Sequence, residues 1–306
     1  MIDVPAGFRA MPRWWSEGTD WLDRLPALVE EQCRRWSLEP DGSLRHGSNA
    51  LVVPVRRGRE PLVLRLTPAG PEVSQTVAAL RFWAGRGTVL LLDADPDRGA
   101  LLLERLDAER SLAALPVARA MPVIGRLVRR LAAPVTDPAV RSTGEVAVEE
   151  AAGWPRRWSA LGEPVPARLL DSALRAAEAV VEPHTPDAAV DADLHFEQVL
   201  GGIRESWLVV DPVLLRGDGC YDLGRVLWSR LDELGSDEDV RGWLRLLADA
   251  AGADRERARQ WVLCRSMSYL LWGLERGLTE DPPRCRRLLA IFAQPGARRG
   301  GVRSGP

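Results

Sequence analysis

The chain has 306 residues, more than one small core needs and enough for two. Its composition is 46% hydrophobic and 27% charged, which lies in the range of soluble globular proteins. A formal net charge of −2 gives no electrostatic basis for nucleic acid or an anionic membrane as a partner. No apolar run is long enough to span a bilayer, and no basic start followed by an apolar stretch marks a leader, so the cytoplasm is the expected location.

In chain order, the first forty residues are predicted helical. Trp14, Trp15, Trp21, Leu22, Leu25, Leu28, Val29 and Trp36 recur near a 3.6-residue spacing with charges between them. Gly47, Ser48 and Asn49 then precede two β-favouring runs, 50–55 and 61–66, joined through Gly58 as a hairpin. A helix is predicted over 72–83. Two strands, 88–93 and 100–103, flank the turn Asp95-Pro-Asp-Arg-Gly99. From residue 109 helices dominate, with periodic segments at 115–133, 145–161, 165–181, 223–234, 240–250 and 255–278. A polar hairpin, 199–203 with 207–210, interrupts them, and the Gly/Arg/Ser/Pro-rich 296–306 is an expected disordered tail. The reading is an α+β, two-lobed, protein-kinase-like fold. Residues 1–106 form a small lobe of N-terminal helices and β-strands, and 107–295 a larger helical lobe.

Cys33, Cys220, Cys264 and Cys285 form no CxxC pair, and His46, His184 and His195 have no metal-binding spacing. The cysteines are expected as buried free thiols, and any metal is expected on oxygen ligands. The chain contains no lysine, so all 41 basic side chains are arginine.

The polar hairpin carries the chemistry. Asp191-Ala-Asp-Leu-His-Phe-Glu-Gln198 leads into it and Val209-Val-Asp-Pro212 ends it. Phosphoryl transfer needs a carboxylate to orient the attacking hydroxyl and further oxygen ligands to hold magnesium against the phosphates. Antiparallel pairing would set the start of the first strand, at Gln198, beside the end of the second, at Asp211, with Asp193 nearby.

DLHFEQVL followed by WLVVDPVLLRGDGCYDLG resembles the catalytic stretch of the streptomycin 6-phosphotransferase and hydroxyurea-kinase-like family, within the aminoglycoside phosphotransferase superfamily. The earlier LVVPV, LRFWAGRGTVLLLDAD and LLLERLDAERSL resemble the same family's first lobe and hinge, in order along 20–295. The resemblance implies that Asp193 is the catalytic base, Asp211 and Gln198 are the magnesium ligands and Asp222 is a buried brace of the catalytic loop. It also implies that Arg65 lies on the nucleotide phosphates, that Glu104 and Leu106 meet adenine through the backbone, and that Gly47, Ser48 and Asn49 lie over the phosphates. The implied cofactors are ATP and Mg²⁺, and the implied partner is a small-molecule substrate, with no nucleic acid or membrane.

The sequence departs from the family pattern at three places. Arg65 stands where a lysine is usual, and the two cations are not interchangeable at a tight site. Gln198 replaces asparagine, displacing its carbonyl by about 1.5 Å on a fixed backbone. Asp191-Ala192 replaces His-Gly or His-Trp before the base, and Glu72 is the sole acid at the start of the helix that would supply the lysine's partner. Two functions accord with this pattern. One is an ATP-dependent O-phosphotransferase, aminoglycoside 6-phosphotransferase-like, acting on a small hydroxylated cationic molecule such as streptomycin in antibiotic resistance. The other is a degenerate kinase-like protein that binds nucleotide, small molecule or partner without turnover. The acidic run 232–239 reads as solvated helix ends or as a site for an aminosugar.

Overall fold

The run Ala100-Leu-Leu-Leu103 explains the first half of the molecule: a strand that is apolar at every position must be covered on both faces. The computed structural model describes residues 2–11, 14, 19–47, 49–181 and 187–293. Within it, Ala100 and Leu102 join one core and Leu101 and Leu103 another. The described chain parts into two units, Met1–Leu112 with Gln198–Leu214, and Ala113–Glu197 with Leu215–Pro306. Ser48, His184 and the 296–306 segment lie outside the described residues.

In the first unit, α1 (Ala6–Arg9) and α2 (Asp20–Trp36) precede the short strands β1 (Glu39–Pro40) and β2 (Arg45–His46). Strands β3 (Leu51–Arg57) and β4 (Glu60–Leu66) follow, then α3 (Pro71–Trp83), β5 (Leu91–Asp95), β6 (Ala100–Glu104) and β7 (Asp107–Ser111). The main sheet runs β1-β3-β4-β6-β5, with β2 also on β3, and its pairings are antiparallel. Helix α2 buries Leu22, Leu25, Val29 and Cys33 against one face of this sheet. Helix α3 buries Val73, Val77 and Leu80 against the other. Because side chains alternate along β4, Arg65 emerges on the face of Val63, which packs with the α3 cluster.

The polar hairpin, β9 (Val199–Gly201) and β10 (Trp207–Val209), groups with this unit rather than with the helices that flank it in sequence. It pairs with β7 in a second sheet. Its loop is tied down by Arg204, which donates to the carbonyls of Gly85 at 2.5 Å and Thr88 at 2.9 Å.

The second unit holds β8 (Ala188–Asp191), β11 (Leu214–Gly217), which starts at the boundary between the units, and seven helices among the described residues. These are α4 (Val117–Leu131), α5 (Thr143–Ala160), α6 (Ala167–Val181), α7 (Leu223–Ser229), α8 (Asp237–Ala251), α9 (Arg255–Glu275) and α10 (Asp281–Phe292). Strands β8 and β11 pair with each other. Helix α9 is buried at Trp261, Leu263, Met267, Leu270 and Leu271, and α5, α6, α7, α8 and α10 pack around it. Apolar residues around most of its circumference require such a central place. Ser142 with Glu145 and Ser236 with Asp239 form capping boxes that start α5 and α8.

The sequence expectation of one helix over 223–234 is corrected. Helix α7 stops at Ser229, Arg230 leaves helical geometry at φ −135°, and a separate 3₁₀ turn covers Leu231–Glu233. Helix α10 was not anticipated. Pro282 and Pro283 lie in its first turn, where proline is accepted because its missing N–H has no intrahelical acceptor. The four cysteines are free and buried, and burial pushes the Cys264 thiol up to about 12.

Candidate active site

In the first unit, the hairpin register Val199↔Val209 brings Gln198 alongside Val210, whose N–H donates to the Gln198 carbonyl at 2.9 Å. Gln198 and Asp211 therefore stand at one end of the hairpin, the juxtaposition that antiparallel pairing predicts. Arg65 meets them from the main sheet, with Nη2 donating to Asp211 Oδ2 at 2.9 Å. The arginine side chain is 11% exposed and the carboxylate 37%. The other terminal nitrogen of Arg65, Nη1, is buried without a hydrogen-bond partner. Leaving a buried donor unsatisfied costs about 1–3 kcal/mol, more when it is charged. The cation that sequence reasoning would pair with an acid at the start of α3 is instead paired with Asp211, while Glu72 is exposed.

Of the other residues that the resemblance assigns to the nucleotide, Glu104 lies on the same sheet and Gly47, Asn49 and Leu106 in loops next to its strands. Asn49 lies between β2 and β3, where its carbonyl accepts from Thr67 Oγ1 at 2.9 Å, tying the turn to the end of β4. Gly47 is exposed, and a Cβ added there would meet nothing within 4 Å. The fold itself does not demand glycine at that point. Glu104 ends β6, opposite Leu62. Its N–H bonds the Leu90 carbonyl at 3.0 Å, and its carboxylate accepts from Leu90 N–H at 2.8 Å and Arg204 at 2.7 Å. Leu106 follows, half-buried against the α3 cluster. Since Leu62 pairs with Glu104 and Arg65 with Leu101, the hinge and Arg65 lie three strand residues apart, about 10 Å.

In the second unit, Asp193 occupies the turn after β8. Asp191, the residue standing where the family has histidine, is 1% exposed and its Oδ1 faces the Asp193 N–H at 3.4 Å. Arg265 from α9 donates to the Ala192 carbonyl at 3.2 Å and to Tyr221 Oη at 2.7 Å, with its guanidinium 4.0 Å from the Tyr221 ring centre. Asp222 is 2% exposed. Burial, and then the Asp191 charge, raises its pKa well above the ordinary carboxylate value, against a smaller opposing pull from Arg265. The loop thus rests on a buried acid pair and an arginine.

The loop's other end is fixed at Gly217-Asp218. Gly217 has φ +135°, and a Cβ there would lie 2.2 Å from Thr143 Oγ1, so only glycine fits. Burial works to raise the Asp218 pKa, but the Arg257 guanidinium at 2.5 Å and the Cys220 N–H at 2.8 Å leave it below the usual value. Arg257 also donates to the carbonyls of Ala179 and Val180 at 2.7 Å each.

Sequence reasoning missed Arg225, Arg257 and Arg265. Arg225 Nε lies 3.3 Å from Asp193 Oδ1. His195 is held below the ordinary imidazole value by burial and then by the Arg225 charge. The acidic run takes its first reading: Asp232 pairs with Arg284, Glu233 with Arg230, Asp237 with Arg287 and Glu238 with Arg241 and Arg245, while Asp239 caps α8. Trp83 and Trp228 are core residues, whereas Trp207 is half-buried beneath Arg110.

A β-rich unit with a cation held by an acid at the hairpin, and a helical unit with a braced aspartate loop, define the class of small-molecule kinases. The fold matches solved structures of that class. Aminoglycoside phosphotransferase APH(4)-Ia, in a ternary complex with ADP and hygromycin B, aligns at a TM-score of 0.62 and 16% identity, over 88% of this chain and 99% of its own. Choline kinase LicA from Streptococcus pneumoniae aligns at 0.57 and 11%, over 88% and 99%. In sequence, streptomycin 6-kinase from Streptomyces glaucescens is 40% identical over 286 residues, covering 90% of this chain and 92% of the relative. Hydroxyurea phosphotransferase from Kitasatospora aureofaciens is 40% identical over 275 residues, covering 87% and 78%. Residues 35–277 match the family described as aminoglycoside/hydroxyurea antibiotic resistance kinase, and the chain belongs to it. It is a phosphotransferase with a protein-kinase-like fold, and nothing in these comparisons favours the non-catalytic alternative.

Proposed function

We propose that the chain transfers the γ-phosphoryl group of ATP to a hydroxyl of an aminoglycoside, streptomycin at its 6-position being the first choice. The observation that carries the reading is Arg65, a buried guanidinium with one nitrogen on Asp211 and the other without a partner. A phosphate oxygen is the chemistry that satisfies it. The adenine edge would be met by the Glu104 carbonyl, since its N–H is spent on Leu90, and by the Leu106 N–H. Backbone groups of Gly47 and Asn49, with Ser48 between them in sequence, would lie along the phosphates. Asp193 would orient the acceptor hydroxyl and take its proton as the oxygen–phosphorus bond forms and ADP leaves.

Asp211 and Gln198 together offer a carboxylate and an amide oxygen, with Asp211 Oδ1 not engaged by Arg65. This hard-oxygen set suits Mg²⁺, which completes its shell with water and phosphate oxygens. Magnesium bound there would neutralise charge on the transferring group. No cluster of three or more His, Cys, Asp or Glu suited to a metal occurs among the described residues. Nor is any described helix long and apolar enough to cross a membrane.

The test is ADP release by the purified chain with Mg-ATP and a panel of aminoglycosides, followed by mass spectrometry of the acceptor. An acceptor heavier by one phosphoryl group supports the proposal. A chain whose melting temperature rises with Mg-ATP, by about 2.7 kcal/mol of stability at 100 times the dissociation constant, but which phosphorylates nothing in the panel, overturns the substrate class.

A further inference from the structure

Asp193 stands in a turn with its side chain 45% exposed. The orientation of this carboxylate decides whether it faces an acceptor hydroxyl. Its neighbour Arg225 is held far more tightly. Its side chain is 16% exposed. Nε lies 3.3 Å from Asp193 Oδ1, an ion-pair contact without hydrogen-bond geometry, and Nη1 at the other end of the fork lies 3.7 Å from Asp281 Oδ2, in the first turn of α10. The guanidinium also sits 5.3 Å from the Tyr269 ring centre and 5.7 Å from that of Trp228. Those rings pack on each other at a 32° tilt with their centroids 4.8 Å apart. A planar cation over two aromatic faces, with an acid on one side, has little freedom left.

The backbone beneath is equally constrained. At Gly224, the residue before Arg225, an added Cβ would lie 3.0 Å from Arg265 Cβ and 3.3 Å from Trp228 Cζ3. Helix α7 therefore lies close on α9 at the residue that precedes Arg225.

We propose that Arg225 is a positioning residue for phosphoryl transfer, a fixed guanidinium that selects the orientation of the Asp193 carboxylate. The inference rests on the reading of Asp193 as the base. Arg225 reaches Asp193 from a separate element and does its work there, whereas Asp281, Tyr269 and Trp228 fix the arginine. Its effect belongs to turnover and not to nucleotide binding.

The experiment measures kcat and KM for ATP, with streptomycin as acceptor and with water as acceptor, in the parent, Arg225→Lys, Arg225→Gln, Asp193→Asn and the Arg225→Gln/Asp193→Asn double variant. Arg225→Gln is expected to lower kcat by about 10- to 100-fold, the scale of an ångström-sized misplacement, and to leave KM for ATP within about twofold. Arg225→Lys should recover part of the loss by restoring the charge. The double variant should be no slower than Asp193→Asn, because a positioning residue has nothing left to position. A parent-like kcat for Arg225→Gln, or a double variant slower than Asp193→Asn by the full Arg225→Gln factor, overturns the proposal. Full activity in Asp193→Asn removes the base assignment and this inference with it. Loss there with full activity in Arg225→Gln removes only the inference. Should Arg225→Gln not fold, Asp281→Asn loosens the outer anchor instead: a several-fold fall in kcat supports the proposal and an unchanged kcat refutes it.

Discussion

Each of the two units places an arginine on a carboxylate to which the proposed function gives a role, and it does so by a different means. In the first, Arg65 is delivered by sheet register: Val52 and Leu101 flank it across β3 and β6, so its Cα is set by backbone hydrogen bonds on both sides. In the second, Arg225 sits on the short helix α7 and is held by side chains, two rings and Asp281. A chain without lysine has built both contacts from guanidinium groups, one on a strand of the main sheet and one on a short helix. The sheet-held pair should be robust to small packing changes elsewhere, and the side-chain-held pair should be sensitive to them.

The largest effect expected is on the second pair. Asp193→Asn should reduce turnover by roughly 10²–10⁴-fold, the range for loss of a general base, with a melting temperature close to the parent's because the side chain is nearly half exposed. Steady-state rates beside a thermal melt check this. A folded variant with the parent rate would end the comparison, since Asp193 would then have no chemistry for Arg225 to serve.

A packing change tests the contrast next. Gly224→Ala inserts a methyl group between α7 and α9, where overpacking costs about 1–3 kcal/mol. The melting temperature should fall and kcat with it, while the Kd for Mg-ATP, measured by titration calorimetry, stays near the parent value because Arg65 and Asp211 belong to the other unit. Equal losses in nucleotide affinity would show that the two pairs are not independently held.

The same contrast explains what could be read from the sequence. The β3/β4 hairpin, α3 and the long helices were legible because alternation and 3.6-residue periodicity report burial directly. Asp193, Asp211, Gln198 and Arg65 could be singled out as candidates because they fall in an ordered motif set. Strands of two to five residues such as β1, β2, β7, β8 and β11 are too short for a period to show. The placement of the β9–β10 hairpin with the first unit depends on Arg204 reaching Gly85, Thr88 and Glu104, contacts distant in sequence. Arg225 and Arg265 were invisible for a simpler reason: among 41 arginines, nothing local distinguishes one that braces a catalytic loop from one that solvates a helix.

A smaller effect is expected at Arg65. Lysine is shorter and offers no fork, so it cannot keep the Asp211 contact and at the same time present a second nitrogen. Arg65→Lys should weaken Mg-ATP binding by about three- to tenfold, on the order of 1 kcal/mol. Gln198→Asn alone should change little. The double variant should differ from the sum of the singles, because both residues stand at the Asp211 end of the hairpin. Dissociation constants for the four proteins decide it. Tighter binding by the double variant than by the parent would mean that arginine and glutamine are a loss relative to the family pattern and not a matched pair.

The smallest effect is on stability against pH, and it isolates the Arg225 side of the comparison. His195 is kept below the ordinary imidazole value by burial and by the neighbouring Arg225 charge, against weaker opposing pulls from Asp193, Glu197 and Asp281. The native state therefore holds His195 neutral under conditions where the unfolded chain takes up a proton, and the unfolded state binds more protons. Stability must rise with pH across that interval, or equivalently be lost as pH falls through the ordinary imidazole value of about 6.5 towards the lowered native one. Replacing His195 by glutamine removes this contribution, while groups remote from position 195 cancel in the difference. Melting temperatures from about pH 7.5 to about pH 5.5 should fall less steeply for His195→Gln than for the parent. In an Arg225→Gln background the gap between the two curves should narrow, since one of the two causes of the lowered value is gone. An equal gap in both backgrounds would show that the guanidinium exerts no field on this loop.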